Sequence, residues 1–156
     1  ALARHRYPHS PVVVFARSPE ERAFALELGA VWAGDTRDRP PQPCAAIIDT
    51  TPAWTPVAEA LKNLQAGGRL VINAIRKESA DQSVLLELDY PEQLWREKEI
   101  KSVANVTRRD VREFLQLAAE IPLRPEVACY PLEEANRALV ELKRSHVRGA
   151  KVLVIG

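Results

Sequence analysis

The alternation of short apolar runs with helix-forming segments is the feature that most constrains the fold of this 156-residue chain. Residues 12–15 (VVVF) and 45–49 (AAIID) are short runs of small or β-branched apolar residues, which is typical of strands buried on both faces. A helix start follows the first run, because Ser18 can cap, Pro19 suits the first helical turn and Glu21 completes a capping box. Strands that alternate with helices of this length predict an α/β fold with a parallel sheet and right-handed crossovers.

The remaining elements are predicted by the same patterns. A helix that begins at Thr55 and ends at the glycine pair Gly67 and Gly68 has one apolar stripe at helical spacing. That stripe consists of Val57, Ala60, Leu61 and Leu64. Further strands are predicted over residues 31–33, 69–75, 100–106, 127–130 and 151–155, and further helices over residues 107–118 and 131–143.

Charge, hydropathy and cysteine content exclude several classes of protein. The 22 Lys and Arg residues against 21 Asp and Glu give a net charge of +1, which implies no general attraction to nucleic acid or to an anionic membrane. We find no apolar run long enough to span a bilayer and no signal-peptide core in the first ten residues. The two cysteines, Cys44 and Cys129, fit neither a zinc-ribbon spacing nor a disulfide framework. We therefore expect a cytoplasmic protein with two buried, reduced thiols.

The first strand end offers a candidate phosphate site. Ligands of parallel α/β sheets bind beyond the carboxyl ends of the strands, and Arg17 and Ser18 lie there, with Arg22 one turn further on. A capped helix start and a guanidinium suit a phosphate group. A dinucleotide site selective for NAD(H) would place an acidic side chain here, whereas this chain has Ala16 and Arg17, which favours NADP(H). An ordinary surface arginine beside a helix cap explains the same pattern equally well.

The other strand ends carry no catalytic group that the sequence identifies. Asp49 could act as a general base, but a strand-terminal Asp more often accepts hydrogen bonds from nearby backbone N–H groups. Asn73 interrupts an apolar strand, and a structural role is favoured for it over a catalytic one. The histidines, His5, His9 and His146, have no metal-ligand spacing with one another or with cysteine or aspartate. We predict neither a catalytic residue nor a metal ligand in this chain.

Five segments in order resemble the second half of the zinc-dependent alcohol dehydrogenases, which belong to the medium-chain dehydrogenase/reductase superfamily. The segments are VVVFARSPEERAFALELGA, AAIIDTT, LKNLQAGGRLVINAI, QLWREKEIKSVANVTRRDVREFLQLAAE and YPLEEANRALVELKRSHVRGAKVLVIG. Within the family, the segment SVANVTRRD is most similar to the bacterial propanol-preferring enzymes. The resemblance covers nearly the whole chain, from about Val12 to Gly156.

The resemblance implies a partial Rossmann cofactor-binding domain over residues 1–104 and a return segment of the catalytic domain over residues 105–156. It further implies that the parent enzyme passes a hydride between a primary alcohol or aldehyde and a nicotinamide cofactor, with zinc polarising the substrate oxygen. The cofactor contacts that it implies, together with the phosphate site above, are Arg17, Ser18, Arg22, Thr50, Thr51, Asn73, Ala74, Ile75, Val103, Asn105 and Arg148. By analogy with relatives that pair through this domain, a homodimer edge is expected between Glu99 and Val103.

The chain also departs from the family pattern. The glycine-rich phosphate fingerprint of the first strand and helix is absent, and residues 1–10 resemble the tail of that first helix. Ala74 stands where many relatives have glycine, and neither cysteine matches a zinc-ligand position. Because strand 1 is central in a Rossmann sheet, its absence is expected to separate strands 2 and 3 from strands 4, 5 and 6 unless strand 2 closes onto strand 4. We therefore predict that the isolated chain is inactive.

Three alternative interpretations remain open at the level of sequence. The chain could belong to a zinc-free quinone or enoyl reductase of the same superfamily. It could be a non-enzymatic nucleotide-binding module that kept the fold without the chemistry. It could also come from a broken gene with no function. In the enzyme interpretations the partner is a small molecule, not a nucleic acid or a membrane.

Overall fold

The structure is a computed structural model that describes residues 2–121, 123, 125–144 and 149–155, and the chain divides into two compact units. Unit 1 is Ala1–Arg112, and unit 2 is Glu113–Gly156. The helices and strands of unit 1 are α1 (Leu2–Arg6), β1 (Val13–Phe15), α2 (Pro19–Glu27), β2 (Trp32–Gly34), β3 (Cys44–Asp49), α3 (Thr55–Asn63), β4 (Leu64–Ile72), α4 (Tyr90–Gln93) and β5 (Glu99–Ser102). Helix α5 (Arg108–Glu120) crosses the boundary, and unit 2 continues with β6 (Val127–Pro131), α6 (Ala135–Arg144) and β7 (Ala150–Val154).

The first βαβ segment of unit 1 forms a two-stranded parallel sheet. Strand β1 pairs with β2, and Val13 lies opposite Trp32. The predicted capping box at the start of α2 is confirmed, because the Ser18 hydroxyl accepts from the Glu21 amide at 3.1 Å and the Ser18 amide donates to the Glu21 carboxylate at 3.3 Å. The helix ends just before Gly29, whose φ of 95° lies in the region that favours glycine.

A three-stranded parallel sheet in the order β3-β4-β5 contains the main core of unit 1. The predicted stripe of α3 and the strand residue Leu70 pack together, and Leu61 and Leu70 are 0% exposed. The buried members of this core are Val57, Ala60, Leu61, Leu64 and Leu70. Burial of this stripe confirms the sequence prediction, and the parallel sheets confirm the α/β, Rossmann-like class.

The predicted bounds of two strands were wrong. Strand β4 covers Leu64–Ile72, so it begins directly after α3 and passes through Gly67 and Gly68, which were expected to end the helix. The positive φ of Gly67 and the register shift opposite residues 44–46 let the strand bend there. Strand β5 ends at Ser102, earlier than the predicted residue 106. Residues 73–75 and 103–105 therefore lie beyond the strands, where a ligand can reach them.

The two sheets of unit 1 are separate, as expected for a Rossmann sheet without its central strand. Strands β1 and β2 correspond to the second and third strands of such a sheet, and β3, β4 and β5 to the fourth, fifth and sixth. Across the described ranges, β1 forms no strand pair with β3. On β3, Ile48 is 69% exposed, which is unusual for an apolar strand residue in an α/β domain.

Unit 2 contains a parallel pair, β6 and β7, connected through α6. A short 3₁₀ turn over Leu132–Glu134 precedes α6, where the sequence predicted one helix from residue 131. Lys151 donates to the Glu141 carboxylate at 2.5 Å, and Tyr130 donates to it at 2.7 Å. These bonds lower the pKa of Glu141 to about 2. No helix in the part of the chain that the structure describes is long and apolar enough to cross a membrane.

Candidate functional site

The turn between β1 and α2 is organised around its own backbone. Ser18 is buried, and its hydroxyl is occupied by the helix cap. The Arg22 guanidinium donates to the carbonyl oxygens of Ala16 at 2.8 Å and Arg17 at 2.9 Å, and it approaches Asp35 at 3.3 Å. Arg22 thereby braces the turn. The Arg17 side chain is exposed and forms no hydrogen bond or ion pair within the described ranges, so it extends into solvent beside the start of α2.

The ends of the three strands of the larger sheet lie side by side. The Asn73 amide donates to the Asp49 carbonyl at 2.7 Å, and the Val103 amide donates to the Ile72 carbonyl at 3.1 Å. These bonds continue the ladder past the ends of β3, β4 and β5. The predicted site residues that follow those strands are therefore neighbours along one edge. They are Thr50, Thr51, Asn73, Ala74, Ile75, Val103 and Asn105.

This edge has an exposed apolar surface. Ile75 is 108% exposed and Val103 is 47% exposed. Asn73 and Asn105 are exposed as well, so the Asn73 side chain requires no buried hydrogen-bond partner. Asn105 has a φ of 61°, which asparagine tolerates better than most residues, and its side chain accepts from the Val106 amide at 2.9 Å. This edge therefore presents exposed apolar side chains directly beside the strand ends.

The turn after β3 is held by a buried carboxylate. Asp49 accepts hydrogen bonds from the Thr51 amide at 3.2 Å and from the Thr51 hydroxyl at 2.8 Å, which agrees with the favoured interpretation of a strand-terminal Asp. The structure adds a partner that the sequence analysis missed, because the Lys77 ammonium lies against the same carboxylate. Lys77 also donates to the carbonyls of Thr51 at 2.9 Å and Ala53 at 2.8 Å.

The start of α3 is capped by a residue distant in sequence. Asp81 accepts from the amides of Trp54, at 2.9 Å, and Thr55, at 2.7 Å, and from the Thr55 hydroxyl at 2.8 Å. The hydrogen bonds from the Trp54 and Thr55 amides, followed by that from the Thr55 hydroxyl, lower the pKa of Asp81 to about 2. The predicted helix start at Thr55 is confirmed, but no local signal identified its cap.

The chain as a whole can be compared with known proteins. No sequence model of a protein family matches the chain. The chain is 38% identical over 142 residues to the probable alcohol dehydrogenase AdhA of Mycobacterium tuberculosis, a match that covers 91% of this chain and 40% of that protein. The chain thus spans about two fifths of the length of this curated relative.

The chain is related to the alcohol dehydrogenases over this part of their length.

Solved structures share its fold at low sequence identity. The alcohol dehydrogenase of Aeropyrum pernix superposes with a TM-score of 0.76 at 20% identity, over 99% of this chain and 45% of that one. Bacillus subtilis yhfP with NAD bound has a TM-score of 0.69 at 17% identity, and Escherichia coli YhdH with NADPH bound has a TM-score of 0.71 at 15% identity. Each of these two matches covers 99% of this chain and 50% of the other.

The described residues also show the environment of the two cysteines and the distribution of metal-ligating side chains. The described residues include no group of three or more His, Cys, Asp or Glu side chains that could hold a metal ion. The expectation of two buried thiols was wrong for Cys129, which is exposed because β6 belongs to a small sheet with open faces. Cys44 is half-buried, and burial raises its pKa. Arg148 and His146, which the sequence analysis singled out, lie outside the described residues.

Proposed function

We propose that this chain is the cofactor-binding part of an alcohol dehydrogenase that transfers a hydride between an alcohol or aldehyde and a nicotinamide cofactor. The observation that carries the proposal is the edge at which three parallel strands end together, with Thr50, Thr51 and Ile75 on adjoining segments. Dinucleotides bind at this edge of Rossmann sheets. The sequence relative is a probable alcohol dehydrogenase, and two proteins that share the fold contain NAD or NADPH.

In this proposal the chain binds and orients the cofactor, and it supplies none of the groups that react. Thr50 and Thr51 flank the ribose cleft, while the backbone of residues 73–75 and the Val103 side chain contact the nicotinamide. The exposed apolar Ile75 suits one face of that ring. The described residues offer no group of metal ligands, so a zinc ion that polarised the substrate oxygen would have to be held by other parts of the complete enzyme. Residues 105–156 form the return segment of the catalytic domain.

The finer assignments of the proposal follow from particular side chains. Arg17, exposed beside the start of α2, is assigned to the 2′-phosphate of NADP(H). Strand β5 is exposed along its length, and its edge between Glu99 and Val103 is assigned to a homodimer contact. The cytoplasm is the proposed compartment.

Activity measurements on two proteins test the proposal. The purified 156-residue chain and the product of the complete reading frame are each incubated with primary alcohols and NAD⁺ or NADP⁺, and absorbance of the reduced cofactor is followed. We expect the complete product to reduce the cofactor and the isolated chain not to reduce it. Turnover by the isolated chain would overturn its proposed inactivity, and lack of turnover by the complete product would overturn the dehydrogenase function.

A further inference from the structure

A buried ion pair between Lys77 and Asp49 lies directly beside the candidate cofactor edge. The side chains are 10% and 4% exposed, respectively. All three ammonium protons of Lys77 have acceptors, namely the Asp49 carboxylate and the carbonyls of Thr51, at 2.9 Å, and Ala53, at 2.8 Å. The ammonium also lies 5.6 Å from the centre of the Trp54 ring. A lysine this well buried and fully paired holds its surroundings in one arrangement.

The bonds of Lys77 connect two segments that come from different strands. Lys77 lies in the segment that follows β4, whereas its acceptors are Asp49, the last residue of β3, and two carbonyls of the turn that follows β3. Backbone bonds reinforce the connection on either side, from the Asn73 amide to the Asp49 carbonyl at 2.7 Å and from the Glu78 amide to the Pro52 carbonyl at 2.8 Å. Lys77 bonds directly to the carbonyl of Thr51, one of the predicted cofactor contacts.

We propose that Lys77 is a positioning residue that fixes the turn carrying Thr50 and Thr51 relative to the segment carrying Asn73 and Ile75, so that the two segments meet the cofactor as one rigid surface. This inference rests on the proposed cofactor-binding function. The energetic reason is preorganisation, because a turn already held in its binding geometry loses little conformational freedom when the ligand arrives.

The first test measures affinity for the cofactor in the product of the complete reading frame. We expect Lys77→Met to weaken NADH binding about tenfold, measured by the fluorescence of the bound cofactor. Lys98→Met is the matched control, because Lys98 also donates to two backbone carbonyls, those of Leu61 and Glu92, each at 2.7 Å. Lys98 lies directly before β5, at the opposite end of the strands, so its loss should leave NADH affinity unchanged.

A double variant separates positioning from stability. Lys77→Met leaves the Asp49 carboxylate buried without a cation, whereas Asp49→Asn/Lys77→Met removes both charges. We expect the double variant to recover most of the lost urea midpoint, but to bind NADH as weakly as the single variant. Hydrogen exchange of the peptide over residues 50–55 in the ligand-free protein should be faster in both. Recovery of affinity together with stability would show that Lys77 acts on folding alone, and would overturn the inference.

The two failures are distinguishable. A wild-type protein that binds neither NADH nor NADPH would overturn the proposed function and this inference together. If the wild-type protein binds NADH, and Lys77→Met has the same NADH affinity and the same hydrogen-exchange rate as the wild type, only the role of Lys77 is overturned.

Discussion

At the scale of single residues, side chains with similar sequence signals have different tasks. Arg17 and Arg22 both follow β1 and both suited a phosphate. The structure shows the Arg22 guanidinium bonded to the backbone of the turn, while Arg17 is exposed. The difference is geometric, because the Arg22 side chain, rising from the first turn of α2, lies within reach of the carbonyls of the preceding turn. Arg17 is therefore the residue on which the proposed cofactor preference depends.

Replacing Arg17 tests that preference. Arg17→Asp should weaken NADPH binding on the order of 100-fold and NADH binding by a few fold at most, because an aspartate repels the 2′-phosphate and can accept a bond from the 2′-hydroxyl. Arg112→Asp provides the matched charge reversal at an exposed position on α5. Kd values for both cofactors are measured in the product of the complete reading frame. Equal effects of Arg17→Asp on the two cofactors would reject the assignment.

Asp81 connects the stability of the chain to pH. Its pKa is lowered from 3.8 to about 2 by hydrogen bonds to the start of α3, so folding favours the ionised form. The stabilisation is present above pH 3.8, and is lost as the pH falls towards 2. Asp81→Ala should lower the melting temperature at pH 7 by a few degrees. It should also reduce the fall of the melting temperature as the pH drops from 3.8 towards 2. Glu87 is an exposed carboxylate nearby in sequence, and Glu87→Ala is the control. It should change neither the melting temperature at pH 7 nor its dependence on pH, as measured in thermal scans between pH 2 and pH 7.

At the scale of elements, burial decides which apolar patterns stabilise the fold. Helix α3 and strand β4 are adjacent in sequence and pack on each other, so the helical stripe found in the sequence coincides with the core. Helix α5 has a comparable stripe, yet Phe114 is 48% exposed and Leu115 is 61% exposed. Periodicity identifies an amphipathic helix in both cases. It cannot say whether the same chain supplies the surface that covers the stripe.

Truncating the core of α3 tests this distinction. Leu61→Ala should lower the free energy of unfolding by about 2–5 kcal/mol, because a fully buried leucine leaves a cavity. Leu86→Ala removes the same atoms from a side chain that is 91% exposed. It should change the free energy of unfolding by no more than about 0.5 kcal/mol. Urea denaturation of the chain measures both. A similar loss in the two variants would contradict the assigned core.

At the scale of the whole molecule, strand edges decide how the chain can associate. Unit 1 has two separate parallel sheets, and β5 is at the edge of the larger one. All four residues of β5 are exposed, and the side chain of Arg69 reaches Glu99 with a distance of 2.6 Å between Nε and Oε2. Exposed strand edges of this kind readily pair with another chain. The same argument applies to β1 and β3, which form no strand pair with each other in the described ranges.

The proposed dimer edge is tested by a charge on β5. Ile100 is 46% exposed, and Ile100→Lys should weaken a homodimer at least tenfold, because a buried, unpaired lysine at an interface costs more than the apolar contact it replaces. Leu86→Lys is the control on an exposed surface away from β5. Sedimentation velocity of the complete product measures the dimer fraction. An unchanged fraction in Ile100→Lys would place the contact elsewhere.

The sequence by itself determined the features that depend on neighbouring residues and on periodicity. Local chemistry and periodicity predicted the Ser18 cap, the buried stripe of α3 and the α/β class. The strand order of the Rossmann fold that the chain resembles predicted the separation of β1 and β2 from β3. The resemblance to the alcohol dehydrogenases also follows from the order of the motifs. None of these required knowledge of which distant residues meet.

Only the tertiary structure decided which distant residues the charged side chains Lys77 and Asp81 contact. Lys77 meets Asp49 across 28 residues of sequence, and Asp81 caps a helix that starts 26 residues earlier. Neither residue lies in a recognisable sequence motif. A charged residue in a polar segment has the same local sequence pattern whether its side chain is solvated or bonded to a distant part of the chain. The pattern of apolar residues did not predict the ends of β4 and β5 either, since the length of a strand depends on the pairing of adjacent strands. Contacts between chain segments distant in sequence therefore fixed the geometry of the candidate site.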